Sequence, residues 1–291
     1  MTFRTLAAAL SFTVALAIPV TGAFAQDAAA FAEAIGAPKP IESYPKPWPL
    51  ANLVTPGKLT IGTTGASPPR TFVDPVSGKL TGSYVDLFTK IATDLGLEAE
   101  FVKIEWPGIL PGLAAGRFDM ACDGASMTTA RLASKDFLMT APTGVNATVG
   151  LALKSSGIKD FKSAKSIGGV RGEVYFEGAK KALPGVAATE FPGLPESMMG
   201  LQNGQVELIA MNLSNALNAL QSAPNKEELV LIGPALEVFA QALCVNAKEP
   251  DLLVATNLLL GNYRADGTLK AIIGKYATST AEVDMLDKIG Y

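Results

Sequence analysis

The sequence predicts an α/β protein of two lobes, and three observations support this. From residue 58 onward, short apolar runs typical of strands alternate with amphipathic helical segments. The same alternation restarts at residue 166, and a chain of 291 residues is long for a single hydrophobic core. Because strands that alternate with helices form mostly parallel sheets covered on both faces, we expect one such sheet in each lobe.

The first 25 residues predict a secretory signal. Arg4 supplies a positive charge, residues 6–18 form an apolar core, and Ala23-Phe24-Ala25 is a small-x-small cleavage site. The apolar run is shorter than the ~20 residues that span a membrane, so a cleaved signal is preferred to a retained anchor. Neither cysteine lies near the cleavage site, which argues against a lipid-modified N-terminal cysteine. We therefore expect an exported protein that is free in the periplasm.

The composition excludes several classes of function. The net charge of the whole chain is −3, and loss of Arg4 with the signal makes the remainder more negative, which does not favour nucleic acid or anionic lipid. Histidine, the commonest general base and transition-metal ligand, is absent, and no CxxC, HExxH, Walker loop or GxSxG motif occurs. We expect no metal, no cofactor and no nucleic-acid partner.

Residues 26–56 are predicted to form an extended arm. An Ala-rich stretch at residues 28–35 precedes five prolines within twelve residues, which neither a helix nor a central strand accepts. These prolines are Pro38, Pro40, Pro45, Pro47 and Pro49. We expect the aromatic side chains of Tyr44 and Trp48 to pack this arm against the rest of the protein.

The two lobes follow the same plan. The first has predicted strands at 59–62, 100–104 and 118–122, a turn at 65–69, and helices at 86–95 and 109–115. The second has strands at 167–170, 187–191 and 206–210, with helices at 175–183 and 196–203. Residues 143–154 join the lobes, and a strand at 229–232 follows. A strand at 239–245 and a helix at 252–263 could return the chain to the first lobe.

The segment after the strand at 118–122 has the composition of a carboxylate-binding corner. Residues 123–129 supply hydroxyl groups and free backbone N–H groups, and Arg131 adds a planar fork of donors that matches two carboxylate oxygens. The sequence therefore predicts capture of a small anion or zwitterion at this point.

The two cysteines leave two interpretations open. Cys122 and Cys244 both sit in apolar, strand-like runs, which favours buried free thiols. The periplasm also permits a disulfide between them. Buried free thiols are the preferred expectation.

Motifs along most of the chain resemble family 3 extracellular solute-binding proteins, the polar amino-acid receptors of ABC importers. In the first half they are TIGT (60–63), PP (68–69), GKLTGSYVDL (78–87), Trp106, LPGLAAGRFD (110–119), TTAR (128–131) and DF (136–137). In the second half they are LQNGQVE (201–207), DGTLK (266–270) and KY (275–276). Each motif is weak alone, but their order and spacing over about residues 57–277 make the resemblance specific.

The resemblance implies a type II periplasmic binding fold, in which two crossovers join lobes that close on a ligand. The implied domains are a signal peptide (1–25), the Pro-rich arm (26–56), the first part of lobe 1 (57–146), lobe 2 (147–238) and a return to lobe 1 (239–291). The implied function is to capture a small carboxylate-bearing solute, an amino acid or related compound, and deliver it to an ABC permease in the inner membrane. We expect a monomer without catalytic residues.

The resemblance also assigns site residues. Arg131 should grip the ligand carboxylate, with Ser126 and backbone N–H groups near Gly124 completing the anion site; the alternative is a surface arginine bonded to Asp136. Thr64 and Ser67 occupy the first binding loop. Trp106 matches a position that either stacks on the ligand or packs in the core.

Three departures from the family pattern affect the ligand. Asn212 stands where relatives hold the ligand ammonium with an acid, so tolerance of ligands without an α-ammonium is expected. Arg70 replaces an aromatic residue and would favour a second acidic group if it points inward, whereas outward it is an ordinary surface arginine. Glu173 could bind the ligand ammonium in place of that acid. Alternatively, it could interact only with the dipole of the helix at whose start it lies. By contrast, Asp86 and Asp119 are expected to be structural, as a helix cap and at a turn.

An enzyme on the same scaffold is the main alternative. Periplasmic cyclohexadienyl dehydratases share this fold, and Glu173 beside Arg131 could act as acid and carboxylate clamp, because an acid in an apolar cleft can have a raised pKa. A sensor that works through a separate signalling partner is a third alternative. Delivery to a permease remains the preferred expectation.

Overall fold

The computed structural model describes Trp48, residues 50–277, Val283 and Leu286. The predicted signal peptide and most of the Pro-rich arm lie outside the described residues. The strands are β1 (Lys58–Thr63), β2 (Ala66–Ser67), β3 (Thr71–Val73), β4 (Leu80–Thr81), β5 (Glu98–Lys103), β6 (Met120–Ser126), β7 (Phe137–Met139), β8 (Gly144–Leu153), β9 (Ser166–Val170), β10 (Ala187–Phe191), β11 (Leu208–Asn212), β12 (Leu229–Ile232) and β13 (Val238–Asn246). The helices are α1 (Ser83–Leu95), α2 (Trp106–Ala114), α3 (Thr129–Leu132), α4 (Val174–Ala182), α5 (Leu194–Gln202), α6 (Leu213–Ser222), α7 (Pro250–Ala265) and α8 (Thr268–Gly274).

The first lobe is built on a sheet in which β1 lies between β5 and β6, parallel to both. Strand β13 adds to β6 in the antiparallel direction, and β7 pairs with β13. One face carries a core formed with α1, α7 and α8, and the other carries a core formed with α2. Trp48 and Leu50 pack against the first of these cores.

The second lobe repeats this arrangement. Strand β9 lies between β10 and β11, parallel to both, and β8 pairs with β11 and β12 in the antiparallel direction. Helix α4 buries Phe176 against one face, while α5 and α6 cover the other with Leu201 and Ala216. Helices on both faces of each sheet confirm the predicted α/β class.

The two sheets are joined by two strands that cross between the lobes. The first part of β8, up to Ala147, pairs with the start of β13, and β8 then continues from Thr148 beside β11. Strand β13 begins next to β8 and continues from Gln241 beside β6. This pair of strands is the predicted double crossover.

Cys122 and Cys244 form a disulfide between β6 and β13, so the expectation of free thiols is wrong. The Cα atoms are 5.5 Å apart, because Cys122 lies opposite the irregular part of β13 on a neighbouring strand. Local sequence patterns such as apolar runs cannot reveal this contact, because the two cysteines are 122 positions apart in the chain.

The structure gives Asp86 and Asp119 structural contacts. Helix α1 begins at Ser83, so Asp86 does not cap it; its carboxylate accepts hydrogen bonds from Lys275 Nζ (2.7 Å) and Tyr276 (3.0 Å) instead. Asp119 accepts hydrogen bonds from the backbone N–H groups of Thr60 and Val54, each at 2.8 Å. These bonds fasten chain segments of the first lobe to each other.

Candidate functional site

A cavity between the two lobes gathers all nine residues that the sequence singled out. It encloses about 620 Å³ of space, including the solvent at its mouth. The nine residues are Thr64, Ser67, Arg70, Trp106, Gly124, Ser126, Arg131, Glu173 and Asn212. Most of them follow or end strands β1, β5, β6, β9 and β11, because the carboxyl ends of both sheets point at the cleft.

Arg131 is positioned by a short helix after β6. Thr128 caps α3 by accepting a hydrogen bond from the Arg131 backbone N–H at 3.3 Å. The guanidinium donates from Nη1 to the backbone oxygen of Ser126 at 3.0 Å and lies over the ring of Trp106, 5.4 Å from its centroid. Asp136 is exposed and makes no ion pair with Arg131 in the described structure. The remaining guanidinium donors are therefore available to the cleft.

Trp106 packs in the core and also lines the cavity. It begins α2 and packs, partly buried, against the core on that face of the first sheet. Its ring also lines the cavity and supports Arg131. The two alternatives of core packing and cleft lining are thus not exclusive.

An irregularity in β6 shapes the floor of the cavity. Residues 122–124 of β6 lie opposite the single residue Leu243 of β13, and both Cys122 (φ +74°) and Gly124 (φ +85°) adopt left-handed backbone conformations. A Cβ atom on Gly124 would lie 2.7 Å from Tyr84 Oη, so this position accepts only glycine without strain. The bulge turns Asp123 towards the cleft, where it lines the cavity.

Asp123 is a functional candidate that sequence reasoning did not single out. Its Oδ2 accepts hydrogen bonds from Thr71 Oγ1 (2.5 Å) and Thr63 Oγ1 (3.0 Å). Burial raises the pKa of Asp123, and these hydroxyl groups, the Thr64 N–H and the charge of Arg70 offset only part of that effect. An acid within an otherwise apolar strand was the signal that could have identified it.

Arg70 points inward, so the alternative of a surface arginine is wrong. Its side chain is buried, with 6% of the residue exposed. Nη2 donates to Gln241 Oε1 at 2.6 Å and to Ser214 Oγ at 3.2 Å, and the guanidinium lies 5.8 Å from the centroid of the Tyr84 ring. Polar partners on the crossing strand and on the second lobe hold it inside, which the chain around Arg70 could not show.

Tyr175 and Gln241 connect the lobes across the floor of the cavity, and neither was predicted. Ser126 Oγ donates to Tyr175 Oη at 3.0 Å, and Gln241 Nε2 donates to the same oxygen at 2.9 Å. Gln241 also donates to the backbone oxygen of Gly124. Both side chains are buried, and both orient the groups expected to meet a ligand.

Glu173 stands at the N-cap position of α4 but makes no capping hydrogen bond with its side chain. It is partly exposed, to the cavity that it lines. Burial raises the pKa of Glu173 to about 7, although the nearby charges of Arg131 and Arg70 lower it. Glu173 can therefore change its charge near neutral pH, opposite Arg131.

Asn212 lines the cavity and also caps a helix. Its Oδ1 accepts a hydrogen bond from the Asn215 backbone N–H at 2.9 Å and so caps α6. That oxygen is committed to the helix, which weakens the case for Asn212 as an ammonium acceptor. In the first binding loop, Ser67 Oγ donates to Asn215 Oδ1 at 3.2 Å, and Thr64 Oγ1 accepts from the Ala66 backbone N–H.

Metal and membrane features are not found in the part of the chain that the structure describes. There, acidic and cysteine side chains form no group of three or more suited to a metal ion. The same residues include no helix with the length and apolarity needed to cross a bilayer.

A double-crossover α/β fold with a charged cleft between its lobes defines a two-lobed binding protein of the periplasmic type. The chain belongs to the bacterial extracellular solute-binding proteins of family 3, whose model matches residues 59–279. This confirms the resemblance seen in the sequence motifs.

Known relatives and solved structures agree with this assignment. A probable amino-acid ABC transporter-binding protein of Haemophilus influenzae is 30% identical over 221 residues, which cover 74% of this chain and 82% of that protein. The structure of an ancestral arginine-binding protein bound to glutamine is similar, with 27% identity, a TM-score of 0.71, and coverage of 77% of this chain and 100% of that one. The ancestral amino acid-binding protein AncCDT-1, a precursor of cyclohexadienyl dehydratase, has 25% identity, a TM-score of 0.68, and coverage of 76% and 96%.

Proposed function

We propose that this protein is the periplasmic receptor of an ABC importer and captures an amino acid or a closely related carboxylate in the cleft between its lobes. The single observation that carries this proposal is that Arg131 lies in the cleft with no acidic partner among the described residues. It is held in the cleft by Ser126 and Trp106 and makes no ion pair with the described residues. We also propose that a cleaved signal peptide directs export, that the mature protein is free in the periplasm, and that it delivers its ligand to a membrane permease.

The ligand carboxylate is placed between Arg131 and the bulge of β6. A guanidinium offers planar pairs of donors that match two carboxylate oxygens, and a partly buried site strengthens such a bond relative to water. The left-handed backbone at Gly124 and the hydroxyl of Ser126 add polar groups next to it. Relatives named for amino-acid binding support this ligand class.

The ligand ammonium is assigned to Glu173 instead of Asn212. Asn212 uses its oxygen to cap α6, whereas the carboxyl group of Glu173 faces the same cavity as Arg131 without a capping bond. This revises the expected tolerance of ligands that lack an α-ammonium, because an acid and an arginine on opposite lobes suit both groups of a zwitterion.

Closure of the two lobes on the ligand is part of the proposal, and the contacts across the cleft support it. Few hydrogen bonds join the facing surfaces directly, among them Ser126 to Tyr175 and Ser67 to Asn215. Each neutral hydrogen bond contributes only about 1 kcal/mol net, so a ligand that touches both lobes adds the differential contacts that hold them shut.

The proposal is tested by replacing Arg131. We expect Arg131→Ala to weaken binding of the tightest amino acid from a calorimetric panel by roughly 2 to 5 kcal/mol, at least about thirtyfold in Kd, because the ligand carboxylate loses its buried partner. Arg117→Ala, which removes an exposed arginine outside the cavity, is the matched control and should bind as the parent does. An affinity within twofold of the parent for Arg131→Ala would refute the carboxylate assignment.

A dehydratase is the second candidate, favoured by Glu173 beside Arg131 and by the likeness to AncCDT-1. A carboxylic acid with a pKa of about 7 can donate a proton near neutral pH. One such acid also suits ammonium binding, so we place the receptor first. Incubation of the purified protein with prephenate should leave the prephenate concentration unchanged. Turnover that disappears in Glu173→Gln would establish the enzyme instead.

A further inference from the structure

A directed chain of hydrogen bonds crosses the floor of the cavity and ends at a phenol. Arg70 Nη2 donates to Gln241 Oε1 at 2.6 Å, and Gln241 Nε2 donates to Tyr175 Oη at 2.9 Å. A guanidinium has only donors, so it fixes the amide oxygen of Gln241 on its own side and the amide nitrogen on the side of Tyr175. The same nitrogen donates to the backbone oxygen of Gly124, which requires the same orientation. Tyr175 Oη is therefore the acceptor in its bond with Gln241.

The proton of Tyr175 has no acceptor among the described residues. Ser126 Oγ also donates to Tyr175 Oη, at 3.0 Å, so the phenol oxygen is the acceptor in both of its hydrogen bonds. Burial raises the pKa of Tyr175 and outweighs the opposing charge of Arg70, so the phenol keeps its proton. Buried O–H groups are usually hydrogen-bonded, so this proton calls for an acceptor from a bound molecule.

The position of Tyr175 is fixed at both ends of its side chain. It is the second residue of α4, lines the cavity and is only 6% exposed. Phe239 packs edge to face against its ring, with centroids 6.1 Å apart and planes at 79°. Phe239 and Gln241 lie two positions apart on β13 and so share one face of that strand. One of them holds the ring of Tyr175, and the other holds its oxygen.

The phenol lies close to the group that is proposed to bind the ligand carboxylate. Ser126 connects the two, because its backbone oxygen accepts from Arg131 Nη1 at 3.0 Å and its Oγ donates to Tyr175. The charge of Arg131 also acts to lower the pKa of Tyr175, as a nearby cation must. A carboxylate oxygen bound to Arg131 is therefore an acceptor within reach of the phenol proton.

We propose that Tyr175 is a ligand-binding residue, whose phenol donates a hydrogen bond to the carboxylate that Arg131 binds. Arg70 and Gln241 are positioning residues, because they set the direction of the hydrogen bonds that leave this proton free. The inference rests on the proposed function, since it supplies a second partner for the same carboxylate. Arg131 belongs to the first lobe and Tyr175 to the second, so a single ligand group joins both lobes.

Calorimetry with an amino acid and its primary amide tests this assignment. The acid is the tightest amino acid of the panel, and its amide keeps the side chain and the ammonium but has no charged acceptor. We expect Tyr175→Phe to weaken binding of the acid at least about tenfold and binding of the amide less than about threefold, because a charged acceptor forms the stronger bond. Tyr263→Phe is the matched control. It also removes a buried hydroxyl, which donates to Asp94 at 2.7 Å outside the cavity, and it should change neither affinity.

A second substitution tests the positioning role of Gln241. Gln241→Glu replaces the nitrogen that donates to Tyr175 Oη at 2.9 Å with a carboxylate oxygen, so the phenol proton turns towards this new acceptor and away from the ligand. We expect the acid to bind at least about tenfold more weakly. Adding Tyr175→Phe to this variant should cost less than about threefold more, whereas independent losses would multiply.

Melting temperatures establish that each variant folds. The comparison of acid and amide decides the outcome should Gln241→Glu unfold, and the double substitution decides it should the amide bind too weakly to measure. Ser126→Ala should weaken binding of the acid less than Tyr175→Phe does, because Ser126 commits its proton to Tyr175.

Each other result overturns the inference in a distinct way. Equal weakening of acid and amide by Tyr175→Phe would reduce Tyr175 to a bond between the lobes. A loss in Ser126→Ala as large as that in Tyr175→Phe would assign the donated proton to Ser126. Binding of the acid that survives Tyr175→Phe but is lost in Arg131→Ala removes the inference and keeps the proposed function. Absence of binding by every amino acid of the panel removes both.

Discussion

In the proposed function Glu173 binds the ligand ammonium, so its charge state bears directly on ligand binding. Its pKa of about 7 means that it is mostly neutral at pH 6 and mostly ionised at pH 8. Burial causes this shift, and the opposing charges of Arg131 and Arg70 are too weak to cancel it. A ligand ammonium requires the ionised form, so binding must displace the proton at low pH.

We therefore predict that an α-amino acid ligand binds about tenfold more tightly at pH 8 than at pH 6, the ratio expected for a site that must ionise with a pKa near 7. Glu173→Gln should bind more weakly and show no such dependence. Calorimetry at four pH values between 6 and 8 measures both. Affinity that falls with rising pH would show that ionised Glu173 competes with the ligand carboxylate for Arg131.

At the level of elements, the bulge of β6 links the disulfide to the cleft. Cys122 is bonded to β13, Asp123 faces the cavity, and Gly124 provides the left-handed turn between Asp123 and the rest of the strand. The hydrogen bond from Gln241 to the Gly124 oxygen fastens the bulge to the crossing strand. The position of Asp123 in the cavity therefore depends on the backbone geometry of the bulge as well as on side-chain contacts.

Gly124→Ala should disturb this element. The new Cβ meets Tyr84 Oη at 2.7 Å on a backbone with φ +85°, so we expect a loss of roughly 1 to 3 kcal/mol in unfolding free energy and weaker ligand binding. Gly157→Ala is a matched control, since φ is +70° but no atom lies within 4 Å of the new Cβ. Urea unfolding and calorimetry compare the two. Equal losses of stability and unchanged binding in both variants would contradict the role of the bulge.

Much of the fold, and the location of the site, could be predicted from the sequence, because hydrophobic periodicity and short-range motifs report on local structure. The alternation of strands and helices predicted both sheets, and the motif around Arg131 identified a residue that lines the cleft. The bonds of Arg70, the Cys122 disulfide and the turn of Asp123 towards the cavity depend on residues more than a hundred positions away or on a strand irregularity. Such contacts leave no periodic signal in the chain.

At the scale of the whole molecule, two strands connect the lobes, and the proposed closure would turn about them. Strands β8 and β13 pair with each other at their starts and then diverge into opposite lobes. Gln241 of β13 bonds Arg70 and Tyr175, so two side chains that line the cleft are tied to a strand that connects the lobes. Binding in the cleft should therefore shift the protein towards its closed form.

The most direct test of the central claim, that both lobes grip one ligand, is small-angle X-ray scattering with and without the tightest ligand from the panel. We predict a smaller radius of gyration at saturation for the parent protein, and no change for Arg131→Ala at the same ligand concentration. Calorimetry on the same samples confirms saturation. Identical scattering curves for the parent protein, with and without a ligand shown to be bound, would contradict a closing cleft.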